Sequence, residues 1–289
     1  MKAIIKITFL LMLPVLLNAQ DAVRFTDKYS PYYDAHEQEN DLANRRNMKY
    51  HFVRDADVLW QIETWEIIDL REKMNLPLYY PTDTLHGRKS FINAIMSGIE
   101  NNHFTAFRVP LSNNEFEFDP ENIILNTDEI RDIGKREEIT PITIRPGVER
   151  DSLITTRWRP EEIKQILIKE VWYFDKKNSK LRSEIIGICP IREYTYNNML
   201  RRERMFWIYY PDARSYLATV PVFNLIDNKA SNSFDDVFVY RHFSSYFVQE
   251  ANVYNDRMIT DYVIGREAQL ESERIKAEIF DKEQDLWEN

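Results

Sequence analysis

The stretch from Ile166 to Phe223 sets the strongest limit on what this chain can fold into. Its first run, ILIKEVWYFD, alternates Ile166, Ile168, Glu170, Trp172 and Phe174 with Leu167, Lys169, Val171 and Tyr173. That is a period of two, with large side chains on both faces near the hairpin end. Lys176 to Lys180, with Asn178 and Ser179 in the middle, has the residue types that tolerate a tight turn, and LRSEIIGICPI then returns as the second strand. A second hairpin is predicted in MFWIYYPDARSYLATVPVF, with Pro211-Asp212 as its turn signal. These runs carry the densest apolar surface outside the N-terminal leader, and a sheet is the most direct way to bury it.

Either side of this block the pattern changes to helical spacing. Asp57 precedes VLWQIETWEIIDLREKMN, in which Val58, Leu59, Ile62, Trp65 and Ile68 predict an amphipathic helix with Asp57 as N-cap and Pro77 beyond its end. Ser90 opens a second helix with Phe91, Ile92, Ile95, Met96 and Ile99 on one stripe. His103 to Val109 reads as a short strand, and Asp119-Pro120-Glu121 as a helix start. Residues 139–160, rich in Thr, Arg and Pro, read as a linker or a sheet-edge crossing. Further on, Ser233 and Asp236 have capping-box spacing, for a helix carrying Val237, Phe238 and Arg241. An amphipathic run continues through Val253 and Ile259 to Tyr262. Gly265 then opens a charged helix with Leu270, Ile275, Ile279 and Leu286 as a thin apolar stripe.

The first nineteen residues read as an export signal. Lys2 and Lys6 flank a short apolar run that ends at Ala19. Cleavage is expected after Ala19, leaving Gln20 first; the run is shorter than the roughly 20 residues a membrane span needs. Without Lys2 and Lys6 the chain has 36 basic against 47 acidic residues, a net charge of −11. Nucleic-acid binding rests on a basic surface, so nucleic acid is not an expected ligand. Cys189, the single cysteine, reads as a small buried hydrophobe. No cysteine stands at the cleavage site, so no direct lipid anchor is expected there.

Signals for chemistry are sparse. The five histidines, His36, His51, His86, His103 and His242, share no metal-ligand spacing, and the six glycines do not cluster into a phosphate cradle. Catalytic, metal-binding and cofactor-binding residues are therefore expected to be none. Acid pairs such as Asp235-Asp236, Glu161-Glu162 or Glu170 with Asp175 keep a glycosidase open as an alternative. Arg201, Arg202 and Arg204 form the one tight basic cluster, which either pairs with neighbouring acids or docks an acidic surface of a partner. On the polar arm before Asp57, Tyr29, Tyr32 and Tyr33 are either exposed or packed on another copy or a partner.

WEIIDLREKMNLPLYYP, KEVWYFDKKNSKLRSEIIGICPI, FWIYYPDARSYLA, FDDVFVYRHFSSYFVQEANVYNDRMITDY and the closing LWEN resemble the gliding-motility protein N family, GldN or PorN, over most of residues 55–289. The resemblance implies a periplasmic, non-enzymatic component of the type IX secretion system. It implies a ring formed with the outer-membrane lipoprotein GldK (PorK), and contact with the inner-membrane motor proteins GldL and GldM (PorM). Trp60, Trp65, Tyr79 and Tyr80 lie in a matching block and equally well fill a core. The expected fold is α+β, antiparallel hairpins covered on one side by amphipathic helices, with an extended N-terminal arm. The expected division is 1–19 signal peptide, 20–57 arm, 58–138 helix-rich part, 139–160 linker or crossing, and 161–289 hairpin part with C-terminal helices.

Overall fold

A computed structural model describes residues 45–50, 52–84, 88–110, 123–124, 127–145, 148–196, 198–222, 232–254 and 256–287. The cleavage site at Ala19-Gln20, the tyrosines Tyr29, Tyr32 and Tyr33, three of the histidines and the Asp119-Pro120 helix start lie outside them.

An eight-stranded antiparallel sheet organises the described chain. The strands are β1 (Val58–Asp69), β2 (Ala106–Phe107), β3 (Ile123–Ile124), β6 (Ile163–Asp175), β7 (Lys180–Tyr196), β8 (Met199–Arg204), β9 (Trp207–Tyr209) and β10 (Tyr246–Glu250). Their order is β10-β1-β6-β7-β9-β2-β3, with β8 pairing β7 beside β9. The expected hairpin around Lys176 to Lys180 is present, its strands paired from Asp175 opposite Lys180 to Ile163 opposite Arg192, with register shifts at Lys169/Glu170 and Ile163/Gln165. A second sheet is a separate hairpin, β4 (Arg136–Arg145) with β5 (Val148–Thr156). It occupies most of the stretch expected to be a linker or crossing: the Thr and Ile residues that break helical spacing there favour strands.

Parity along β6 divides the interior. Ile166 and Ile168 share a core with Ile68 of β1, Ile188 of β7 and Ile208 of β9. On that face lie α1 (Phe91–Glu100), α2 (Thr127–Asp132), α3 (Tyr210–Leu217) and α4 (Phe234–Val239), which contribute Ile95, Ile130, Leu217 and Phe238 to the same core. Farther along it, Trp172 and Phe247 pack with Ile275 and Ile279 of α5 (Arg266–Trp287). The opposite face is an aromatic layer of Trp65, Phe107, Leu167, Cys189, Ile191 and Trp207 to which no described helix contributes. The fold is thus α+β with helices on one face of an antiparallel sheet.

Three helical or turn expectations are corrected. Residues 58–69 form the strand β1, because Trp60, Ile62 and Ile68 on one parity and Trp65 and Ile67 on the other supply the apolar contacts of a strand covered on both faces. Spacing of three is met there by coincidence; β-branched and aromatic content decides for the strand. Asp57 ends a 3₁₀ turn and pairs with Arg54 at 2.8 Å. Pro211 and Asp212 start α3 as its first-turn proline and acid, where a hairpin turn was expected. The run through Val253 to Tyr262 is an irregular connection with one 3₁₀ turn at Ile259–Asp261, after the strand β10.

The other caps form as expected. Ser90 accepts from Asn93 N at 3.3 Å, and Ser233 with Asp236 forms the reciprocal capping box. On α5 the buried stripe is Ser272, Ile275 and Ile279, while Leu270 is 53% exposed. Ile275→Ala is therefore expected to lower stability in urea unfolding by about 2–5 kcal/mol. Leu270→Ala should change it by no more than about 0.5 kcal/mol.

Candidate functional site: buried arginines and an exposed edge

Two buried arginines and a third that is partly exposed fix the chemistry of the helix-bearing half. Arg192 of β7 donates from Nε to Glu162 at 2.6 Å and from Nη1 to the Gly134 carbonyl at 3.0 Å. Arg214 of α3 donates to both oxygens of Asp235, at 2.8 and 3.2 Å, and to the Met48 carbonyl at 2.5 Å. Its guanidinium lies 4.0 Å from the centre of the Tyr50 ring, and Arg45 pairs with Asp236 at 2.8 Å. Residues 45–50, the described end of the arm, are thereby tied to α3 and α4.

The third arginine stands between the two cores of the helix-bearing face. Arg241 follows α4 in the left-handed backbone region (φ 51°), which non-glycine residues enter only when their surroundings hold them there. Its Nη1 donates to Glu170 Oε2 at 2.5 Å, and its Nη2 to Glu66 Oε1 and Oε2 at 3.2 and 2.9 Å. Ser245 adds a hydroxyl bond to Glu66 at 2.6 Å. Glu66 and Glu170 are both inward-facing residues of the central strands β1 and β6, at 1% and 0% exposure. The guanidinium also lies 5.0 Å from the Trp172 ring and 5.1 Å from that of Phe243.

Two buried carboxylates share one guanidinium, whose own side chain is partly exposed. Burial, and then the Glu66 charge, push the Glu170 carboxyl up to about 8, against the opposing pull of Arg241. Among the described residues Glu170 Oε1 has no hydrogen-bond partner. Two clefts flank the cluster. One, of about 490 Å³, includes Tyr50, Phe52, Arg214 and Arg241 in its lining; the other, of about 580 Å³, includes Glu66, Trp172, Arg241, Phe243 and Lys276.

The residues that the sequence singles out fall elsewhere. Arg201, Arg202 and Arg204 are on β8, a strand paired only with the far end of β7. Arg201 and Arg202 are exposed and Arg204 is half-buried. Arg202 pairs with Glu193 at 3.0 Å, and Glu193 also accepts from Arg71 at 3.1 Å. Asp235 and Asp236 are divided between a buried arginine pair and a helix cap. Asp175 accepts bonds from its own turn, at Lys177 N and the Asn178 side chain. Trp65 is buried, Trp60 and Tyr79 are half-buried, and Tyr80 is exposed. Burial pushes the Cys189 thiol up to about 12, so it is protonated at neutral pH. The Glu66–Glu170–Arg241 cluster escapes sequence reasoning because Arg241 is 71 and 175 residues from its two partners. One signal is legible: Glu170 stands where an apolar residue belongs in the alternation Ile166, Ile168, Trp172 and Phe174.

The family model for gliding motility associated protein GldN matches residues 53–288. The chain belongs to the GldN family. This family is a component of the gliding-motility and type IX secretion machinery, and it is not a known enzyme family. The match begins within the arm, two residues after His51, and runs through β1, the whole sheet and α5. No curated protein matches the chain. Among the described residues, no group of three His, Cys, Asp or Glu could hold a metal ion, and no helix is long and apolar enough to cross a membrane.

Because the folded Glu170 pKa is raised, the folded protein holds a proton that the unfolded chain gives up near pH 4.5. Its contribution to stability is full below that value and is lost as pH rises through about 8. The stability of the wild type to thermal unfolding should therefore fall between pH 5 and pH 8 by on the order of 3 kcal/mol relative to Glu170→Gln, whose side chain does not titrate.

Proposed function

We propose that this chain is a non-enzymatic structural subunit of the type IX secretion and gliding machinery. It works in the periplasm at the inner face of the outer membrane. It forms a ring there with copies of itself and the lipoprotein GldK (PorK), and meets the periplasmic part of the motor protein GldM (PorM). The observation that carries this reading is the family match across nearly the whole folded part. The structure adds support in how its aromatic and charged groups are used. Trp65, Trp172 and Trp207 lie in the interior, the buried Arg192 and Arg214 pair with Glu162 and Asp235, and the partly exposed Arg241 pairs with both Glu66 and Glu170. The side chains left for binding are those of the surface, with Arg201, Arg202 and Arg204 on β8 as the basic patch for a partner. Tyr32 and Tyr33 serve the same purpose on the arm. The signal peptide is removed between Ala19 and Gln20 on export, and membrane attachment is supplied by the lipoprotein.

The alternative is a periplasmic glycan-binding protein or glycosidase. Its best support is the Glu66–Glu170 pair beside Trp172 and a cleft. Sugar hydrolysis needs two carboxyls flanking the glycosidic bond, with a water or a nucleophilic oxygen free to act. Here both acids are buried and bonded to the same guanidinium, and that guanidinium lies over the indole ring a sugar would stack on. This geometry favours a structural role for the pair.

Co-expressed with the lipoprotein and extracted gently, the chain is expected to elute as one large complex by size-exclusion chromatography with light scattering. Two separate monomer peaks would overturn the reading.

A further inference from the structure

Each of the two sheets has a strand edge that no described strand pairs. β4 and β5 form a sheet of their own, and a lone two-stranded hairpin is marginally stable in water and gains from a further strand. Its two outer edges differ. Pro141 stands in the middle of β4 with no amide to offer a neighbour, and proline blunts an edge in this way. β5 runs nine residues without a proline, so its edge is the one free to pair. On the main sheet the open edge is that of β8, whose six residues pair only with β7. Met199, Leu200, Arg201 and Arg202 are exposed along it.

The two edges match residue by residue. Set antiparallel, ERDSLI (149–154) of β5 meets MLRRER (199–204) of β8 with Glu149 opposite Arg204, Arg150 opposite Glu203 and Asp151 opposite Arg202. Leu153 then falls opposite Leu200, and Ile154 opposite Met199. Pairs of these kinds stabilise adjacent strands, and like charges directly opposite destabilise them. Alternation of sign therefore fixes the register. A slip of one residue sets Glu149 against Glu203 and Arg150 against Arg202; the opposite slip sets Arg150 against Arg204 and Asp151 against Glu203. Leu153 is also opposite Ile139 within the hairpin, so an apolar row of Ile139, Leu153 and Leu200 crosses the joined sheet. Around that face of β8, Arg71, Arg202 and Arg204 stand against Asp69 and Glu193, which leaves one positive charge for the incoming acids.

Within one molecule this pairing is not reached. Gly134, just before β4, gives its carbonyl to Arg192, and Arg157, just after β5, pairs with Asp132 at 2.8 Å. Arg192 is opposite Glu203, so the base of the hairpin is held level with the Arg204 end of β8. From there β5 meets its own β8 only by running parallel to it. With Thr156 near Glu203, Glu149, Arg150 and Asp151 then fall past Met199, away from the arginines. An antiparallel partner has to come from another copy.

Resting on the reading that copies of this chain assemble, we propose that β5 of one copy adds antiparallel to the free edge of β8 in the next, with Leu153 opposite Leu200. The edge given and the edge taken are different, so the contact is heterologous and can repeat from copy to copy.

Cys189 is buried and is the one native cysteine, so introduced cysteines report the contact. Leu153 and Leu200 are 59% and 58% exposed, and residues directly opposed on paired strands have Cβ atoms about 4.5–5.5 Å apart. Full-length Leu153→Cys and Leu200→Cys chains, mixed and assembled with the lipoprotein, should give a disulfide-linked pair on mild oxidation, while neither links to itself. Leu153→Cys mixed with Arg201→Cys should not link, because the register puts these two side chains on opposite faces. Exchanging two charges, Arg150→Asp with Asp151→Arg, keeps the net charge and breaks no ion pair across the hairpin, where the opposed residues are Ile142 and Pro141. This exchange should weaken self-association by about tenfold or more. An assembly of full size without the 153–200 link would overturn the proposal while leaving the subunit reading in place. So would linking of either cysteine to the lipoprotein, a 153–200 link inside one chain carrying both changes, equal linking of the 153–201 pair, or a charge exchange without effect. Failure of any assembly to form would remove both.

Discussion

The structure depends on the ion cluster in which one guanidinium serves two carboxylates on neighbouring central strands. Glu66 and Glu170 face inward in the middle of a buried sheet. Neither could stay there both charged and unpaired, because an isolated buried charge costs several kcal/mol. Arg241 meets both from the end of a short helix, so the path of the chain out of that helix is set by the sheet. The same residue separates the core packed under the first four helices from the smaller one under the C-terminal helix. Removing one partner of such a cluster costs about 3–5 kcal/mol, since the others stay buried. The cluster is better understood as fixing one arrangement of strand, helix end and loop than as adding net stability.

A pattern of use follows from this. Buried charges are consumed by each other, and Trp65, Trp172 and Trp207 are interior. Arg192 with Glu162 and Arg214 with Asp235 repeat the arrangement at two other joints of the fold. The arm joins by the same chemistry, since residues 45–50 are held by a carbonyl bond, a cation over a ring and an ion pair. What remains on the outside is edges, loops and a charged helix, the surfaces on which subunits of an assembly recognise one another.

Much of this was legible in the sequence, though unevenly. The hairpin from Ile166 to Ile191 could be read because period-two alternation and a polar turn coincide there. The caps at Ser90 and Ser233 could be read because capping is local chemistry over three residues. Residues 58–69 could not: a strand covered on both faces loses clean alternation, and Val58, Ile62, Trp65 and Ile68 then satisfy a helical stripe as well. Pro211 could not, since proline before an acid begins a turn and a helix equally well. Arg241 was visible as a residue on a helix, but its partners come from strands 71 and 175 residues away in sequence, and only the fold brings them together.

The central claim is that these buried acids hold the fold and that the protein acts by binding. The most direct measurement is complementation of a strain lacking the gene with Glu170→Gln, which keeps the shape of the side chain and removes its titratable proton. The account predicts that export of type IX cargo and surface movement return to wild-type levels. A variant that folds and assembles normally yet fails to export would contradict it.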